Sequence, residues 1–145
     1  MEKPDEYESI TTLNISSKNL TELPCWISEC KNLQTLNCFY NQITQLDNLP
    51  QTLEILYCHN NKITELNNLP PTLKELYCYR NQITQLDNLP ETLETLECSN
   101  NQITQLDNLP ETVNSLLCTQ NPFKYEFEPT LENIKNYNNQ NKLPK

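Results

Sequence analysis

The sequence predicts a solenoid. One short parallel β-strand per repeat lines a concave face, extended, polyproline-like or turn segments return along a convex face, and a short helix caps the C-terminal end. Three observations lead there. The 145 residues repeat with a period of 20 from Leu33 onward: NQITQLDNLP at 41–50 recurs unchanged at 81–90 and 101–110, with NKITELNNLP at 61–70. Every unit also places apolar residues at the same offsets, as in Leu53, Leu56, Cys58, Ile63, Leu66 and Leu69. Finally, Pro50, Pro70, Pro90 and Pro110 bracket the units. A proline inside a helix costs about 3 kcal/mol, and only about 12 residues separate a strand from the next proline, so no long helix fits.

The elements follow in order along the chain. A looser first unit of 23 residues, ITTLNISSKNLTELPCWISECKN, begins at Ile10. Tyr7, Ile10, Trp26 and Ile27 are the residues expected to seal the first strand edge, which would otherwise invite association. In each later unit a segment such as Leu53-x-x-Leu56-x-Cys58 alternates over a few residues and reads as a strand. One unit cannot bury its own apolar edge. Stacked units can, at about 4.8 Å per strand, so that five or six of them extend about 25 Å.

Asn41, Asn61, Asn81, Asn101 and Asn121 recur at the end of each strand. An Asn side chain carries donors and acceptors that satisfy backbone in its own turn and in the next one, so these residues are read as structural. Lys18 takes this place in the first unit, beside Asn19. Cys38, Cys58, Cys78, Cys98 and Cys118 form a second ladder, read as small buried apolar residues. Thiols in single file do not surround a zinc ion tetrahedrally, and neighbouring strands hold them in poor geometry for disulfides, so neither a metal nor a cofactor is expected. Each proline is followed by a threonine, Thr52, Thr72, Thr92 or Thr112, where the outer segment turns back into a strand.

The repeat breaks at Asn121-Pro122-Phe123. Phe123, Tyr125 and Phe127 alternate and are expected to cover the last open core. Pro129–Tyr137 reads as a short helix with Leu131, Ile134 and Tyr137 on one side. The chain is therefore divided into a repeat array, residues 1–123, and a C-terminal cap and frayed tail, residues 124–145, of which the last eight are expected to fray.

The motif L-x-x-L-x-L-x-x-N-x-L, with Cys in the third Leu place, recurs over residues 10–123 and resembles the leucine-rich repeat family. The 20-residue period with Leu-Pro before the next strand is similar to the short repeats of bacterial effector proteins, and to Asn-rich giant-virus repeat proteins. That resemblance implies a leucine-rich repeat solenoid that binds proteins. Such effectors often append a ubiquitin-ligase domain, and the residues after this array are too few to form one.

Charge and composition narrow the function. With 10 Lys+Arg against 19 Asp+Glu the formal net charge is -9, which disfavours nucleic acid and anionic membranes as partners. Glycine is absent, so Gly-rich phosphate loops are excluded. No apolar run approaches the roughly 18 residues of a membrane span. The acidic N-terminus lacks the apolar stretch of a secretory signal, and seven cysteines, an odd number, point to a reducing, cytoplasmic setting, in the source cell or an infected host cell.

The outer segments are nearly identical, whereas the strand positions beside each ladder Cys diverge. Before it stand Asn37, Tyr57, Tyr77, Glu97 and Leu117; after it stand Phe39, His59, Tyr79, Ser99 and Thr119. Strand alternation sends both series onto the concave face, with Tyr40 and Arg80 one step further at the rim. Phe39, Tyr57, His59, Tyr77, Tyr79 and Arg80 are accordingly the candidate partner-binding residues, Tyr and Arg being common interface anchors. The function expected is a monomeric protein- or peptide-binding module. The alternative is a structural spacer or scaffold segment of a larger assembly. Stacking between neighbouring strands is a competing account of the aromatic residues. No catalytic residue is assigned: Cys58 and His59 must face opposite ways, and Glu75 and Glu97 have no third group or pocket to work with.

Overall fold

The computed structural model describes residues 2–141. The alternation around each central leucine persists for only three residues before the chain turns, so each repeat yields one very short strand. These are β1 (Thr12–Asn14), β2 (Thr35–Asn37), β3 (Ile55–Tyr57), β4 (Glu75–Tyr77), β5 (Thr95–Glu97) and β6 (Ser115–Leu117). They pair in chain order as one six-stranded parallel sheet. Register is kept throughout, aligning Leu13, Leu36, Leu56, Leu76, Leu96 and Leu116. From β2 to β5 that leucine is wholly buried while its neighbours on the strand are half-exposed. A one-residue slip would turn every leucine outward, so burial specifies the register. The ladder cysteines, Ile43, Ile63, Ile83 and Ile103, and the leucines before each proline continue the same core into the return segments, which carry no helix.

Two side-chain ladders tie successive coils together. Asn61 donates from Nδ2 to the carbonyls of Cys58 and Cys38, both at 3.0 Å, and its Oδ1 accepts from the Ile43 amide at 3.0 Å. Asn81, Asn101 and Asn121 repeat the pattern on the coils below. Asn41 meets the longer first unit by accepting from both Lys18 and Leu20 amides. The threonines form the second ladder: Thr52, Thr72, Thr92 and Thr112 donate to the carbonyls of Leu33, Leu53, Leu73 and Leu93 at 2.7–2.8 Å. The sequence located these threonines but did not foresee their bonds. Both ladders satisfy backbone carbonyls that a tight coil leaves unpaired.

A chain without glycine must still turn through left-handed conformations. Ten described residues have φ near +55°, and six of them are Asn, which tolerates this region best after glycine. One such residue precedes each ladder position: Ser17, Tyr40, Asn60, Arg80, Asn100 and Gln120.

The ends differ from the middle. A 3-10 turn at Cys25–Glu29 buries Trp26 and Ile27, with Tyr7 and Ile10 half-buried against the same core. Lys3 lies over the Tyr7 ring, 3.3 Å from its centre, and pairs with Glu29 at 2.6 Å. At the other end Phe123, Tyr125 and Phe127 pack on the last coil, followed by helix α1 (Leu131–Asn141). The helix runs further than the sequence suggested. Residues 138–141, expected to fray, are helical, because Asn138 is buried and donates to the Leu106 carbonyl at 2.8 Å. Residues 142–145 of the expected frayed tail lie outside the described residues. Asn138, with Leu131 and Ile134, forms the inward stripe in place of Tyr137, which is 37% exposed and meets the Tyr125 and Phe127 rings from the side.

Candidate sheet-face interaction site

Because the sheet is parallel and in register, residues 20 apart in sequence become neighbours one strand spacing apart. That brings the candidate residues into two ladders on the face opposite the leucines. In the first, Phe39, His59 and Tyr79 stack: ring centres are 4.7 Å and 4.3 Å apart, with planes within 8° and 7°. In the second, Tyr57 and Tyr77 stack at 4.6 Å and 12°. All five rings are half-buried. Offset stacks of this kind contribute about 0.5–1.5 kcal/mol each beyond the area they bury. The rings therefore brace β2, β3 and β4 as well as facing outward.

His59 lies between two ring faces. Burial, and secondarily the Arg80 guanidinium, push its pKa below the ordinary imidazole value. Its Nδ1 accepts from Asn60 Nδ2 at 2.9 Å, which requires the neutral ring to carry its proton on Nε2. Tyr77 donates its hydroxyl to Glu75 Oε2 at 2.9 Å, and burial together with that bond raises its pKa to about 12. Burial and the nearby Glu97 carboxylate raise that of Tyr79. Both hydroxyls are therefore held neutral at physiological pH.

Arg80 stands at the rim in a left-handed conformation with φ 54°, and Tyr40 stands at the equivalent position on the coil before it with φ 52°. Tyr40 was not among the candidate binding residues. It is 55% exposed and sits edge-on to both Phe39 and His59, with interplanar angles of 74° and 82°. The sequence signal for it was its place before Asn41, occupied by Asn60 and Asn100 on other coils. Cys58 is wholly buried on the opposite side of the strand from His59, so the two form no thiol–imidazole pair.

The ladder cysteines are buried without exception. Burial drives the thiol of Cys38 up to about 12 and that of Cys118 up to about 11, and raises Cys58, Cys78 and Cys98 well above the ordinary value. They are held as protonated apolar groups. Cys30 is buried beneath the 3-10 turn, while Cys25 is exposed.

A sequence-family model described as Leucine Rich repeats (2 copies) matches residues 8–51, 31–71, 51–91 and 71–111. Among solved structures, the chain is similar to a Shigella effector LRR domain, with 34% identity over 85% of this chain and 54% of that one, and a TM-score of 0.74. It is also similar to YopM from Yersinia enterocolitica WA-314, with 32% identity, 74% and 22% coverage and a TM-score of 0.64. A third similarity is to the functional domain of InlJ from Listeria monocytogenes, described as including a cysteine ladder, with 32% identity, 80% and 31% coverage and a TM-score of 0.59. This chain thus spans about half of the first structure and less than a third of the other two. The comparison with curated proteins gives no match.

Proposed function

The chain belongs to the leucine-rich repeat family, and from that premise we propose that it is a protein-binding module working through its concave sheet face, with no catalysis of its own. The observation that carries this reading is the pair of aromatic ladders on one sheet face, Phe39, His59 and Tyr79 with Tyr40 edge-on, and Tyr57 with Tyr77, with Arg80 at the rim, on coils whose outer segments are almost identical. Rigid aromatic residues contribute large contact area with few torsions to freeze. The strain at the rim favours binding over a spacer role. Stacked rings would serve stability alone, but Tyr40 and Arg80 occupy a left-handed position that costs a bulky residue more than Asn, which fills it on the interior coils at Asn60 and Asn100, with Ser17 and Gln120 there on the end coils.

We assign no nucleic-acid or membrane partner, since the charge of -9 opposes both and also opposes self-association, leaving a monomer. Among the described residues no helix is long and apolar enough to cross a membrane. A reducing cytosol, of the source cell or of a host cell, suits its free thiols.

The test is affinity capture from source-cell and host-cell extracts, comparing wild type with Tyr57→Ala/Tyr77→Ala/Tyr79→Ala and with an outer-face control, Gln45→Ala/Gln85→Ala/Gln105→Ala. The tyrosine variant should remain folded by circular dichroism and lose a partner that the control keeps. Equal retention by both variants removes the sheet-face assignment, and absence of any specific partner supports the spacer.

A further inference from the structure

We infer that the segment held on this face is basic: a Lys- or Arg-bearing stretch of a partner protein, its cation seated beside Tyr77 between Glu75 and Glu97. This rests on the sheet-face reading above and adds the partner's chemistry to it.

The seat is built by the register. Tyr57 covers one face of the Tyr77 ring. The other face looks along the stack toward β5, where the residue aligned with Tyr77 is Glu97. Two residues earlier on β4, Glu75 accepts the Tyr77 hydroxyl, which leaves lone pairs of its carboxylate open. Two carboxylates thus stand beside an aromatic ring that has a ring stacked on one face only, the combination that attracts a guanidinium or ammonium group by charge and by the ring quadrupole together. Among the described residues neither carboxylate is in an ion pair; the ion pairs there are Lys3–Glu29 and Lys74–Glu54.

The surroundings agree in sign. Lys74, on the approach to β4, is already neutralised by Glu54. Tyr40, at the far end of the aromatic cluster, has no ring stacked face to face with it and offers a second cation–π surface. Arg80 lies next to His59 and Tyr79 and disfavours basic groups at that rim. At longer range the net charge of -9 steers a basic segment toward the protein.

The experiment is selection from a displayed library of random linear peptides against the intact protein, with an unrelated protein of similar negative charge as counter-selection. Enriched peptides should be rich in Lys and Arg, and their binding should weaken as salt rises. The selected peptides should bind Glu75→Gln/Glu97→Gln roughly fivefold more weakly, as expected from the loss of two half-exposed charge contacts. They should bind an outer-face control, Asp47→Asn/Glu65→Gln/Asp87→Asn, as tightly as wild type. Peptides without basic residues, or basic peptides indifferent to Glu75→Gln/Glu97→Gln, overturn the inference, as does no enrichment beyond the counter-selected protein. If non-basic peptides win and are lost from Tyr57→Ala/Tyr77→Ala/Tyr79→Ala, the sheet face stands and the charge inference falls. If the winners ignore the tyrosine variant, both fall.

Discussion

Asn81 shows how much a single side chain does in a repeat fold. Its amide donates to the Cys58 and Cys78 carbonyls and accepts from the Ile63 amide, joining two coils at a point sealed from water. Asn81→Leu matches it in size but leaves these three backbone groups unpaired, and should lower stability by about 1–3 kcal/mol in urea unfolding. A loss under about 0.3 kcal/mol would mean that the carbonyls find other partners. Arg80 makes the opposite case. With φ at 54° it occupies a position that Asn60 and Asn100 fill on neighbouring coils. Arg80→Asn should therefore raise stability by about 0.5–1 kcal/mol, read as a higher urea midpoint at unchanged slope. Partner binding should weaken at the same time. A variant that gains stability and keeps full binding would show that the strain at Arg80 serves no interface.

At the scale of the element, the cysteine ladder makes the stack sensitive to alkali. Each folded thiol has a pKa raised by burial, to about 12 at Cys38 and about 11 at Cys118, against 9.0 for the ordinary thiol. Above the unfolded value the unfolded chain releases protons that the folded chain retains, so stability falls as pH rises. The ladder's contribution is intact below about pH 9 and then declines by about 1.4 kcal/mol per pH unit for each thiol, through the window up to the folded values. Urea midpoints at neutral pH and at about pH 10 should show this decline, and Cys58→Ala/Cys78→Ala should make it shallower. An unchanged slope in that variant would place the alkaline loss elsewhere. The C-terminal helix is an element of another kind. It has no repeat to imitate, and it is held by Ile134, wholly buried, and by the bond from Asn138 to Leu106.

For the whole molecule, the stack behaves as a one-dimensional array in which each coil touches only its neighbours. Removing one period should therefore leave a folded protein with fewer coils. Deleting residues 61–80 joins Asn60 to Asn81 in register and removes β4 with Tyr77, Tyr79 and Arg80. Deleting residues 81–100 keeps the aromatic cluster but places Leu117 where Glu97 stood beside Tyr77. Both should melt cooperatively by circular dichroism, at lower temperature than the full chain. The first should lose partner binding, and the second should retain it in weakened form. Equal binding by both would separate binding from the cluster.

The sequence by itself determined the strand, its repetition and its direction. Leucines and cysteines at fixed offsets between prolines admit one short strand per unit, and an identical unit stacked on itself makes a parallel sheet, as the matched family model and the register of the central leucines show. The ladder positions were legible for the same reason, since a residue that repeats every 20 places must meet its own copy. What only the tertiary structure decided concerns partners that composition and period do not specify. Whether a tyrosine face is open or covered depends on the ring one coil away: Tyr57 covers one side of Tyr77, while nothing stacks on Tyr40. The threonine bonds run to carbonyls 19 residues back and carry no local pattern. The length of α1 depended on Asn138, a polar residue that local propensity reads as solvent-facing and that the coil beneath it turns inward with the Leu106 carbonyl. Periodic local order is encoded in the chain itself, whereas the orientation of a side chain is settled by the atoms that folding packs against it.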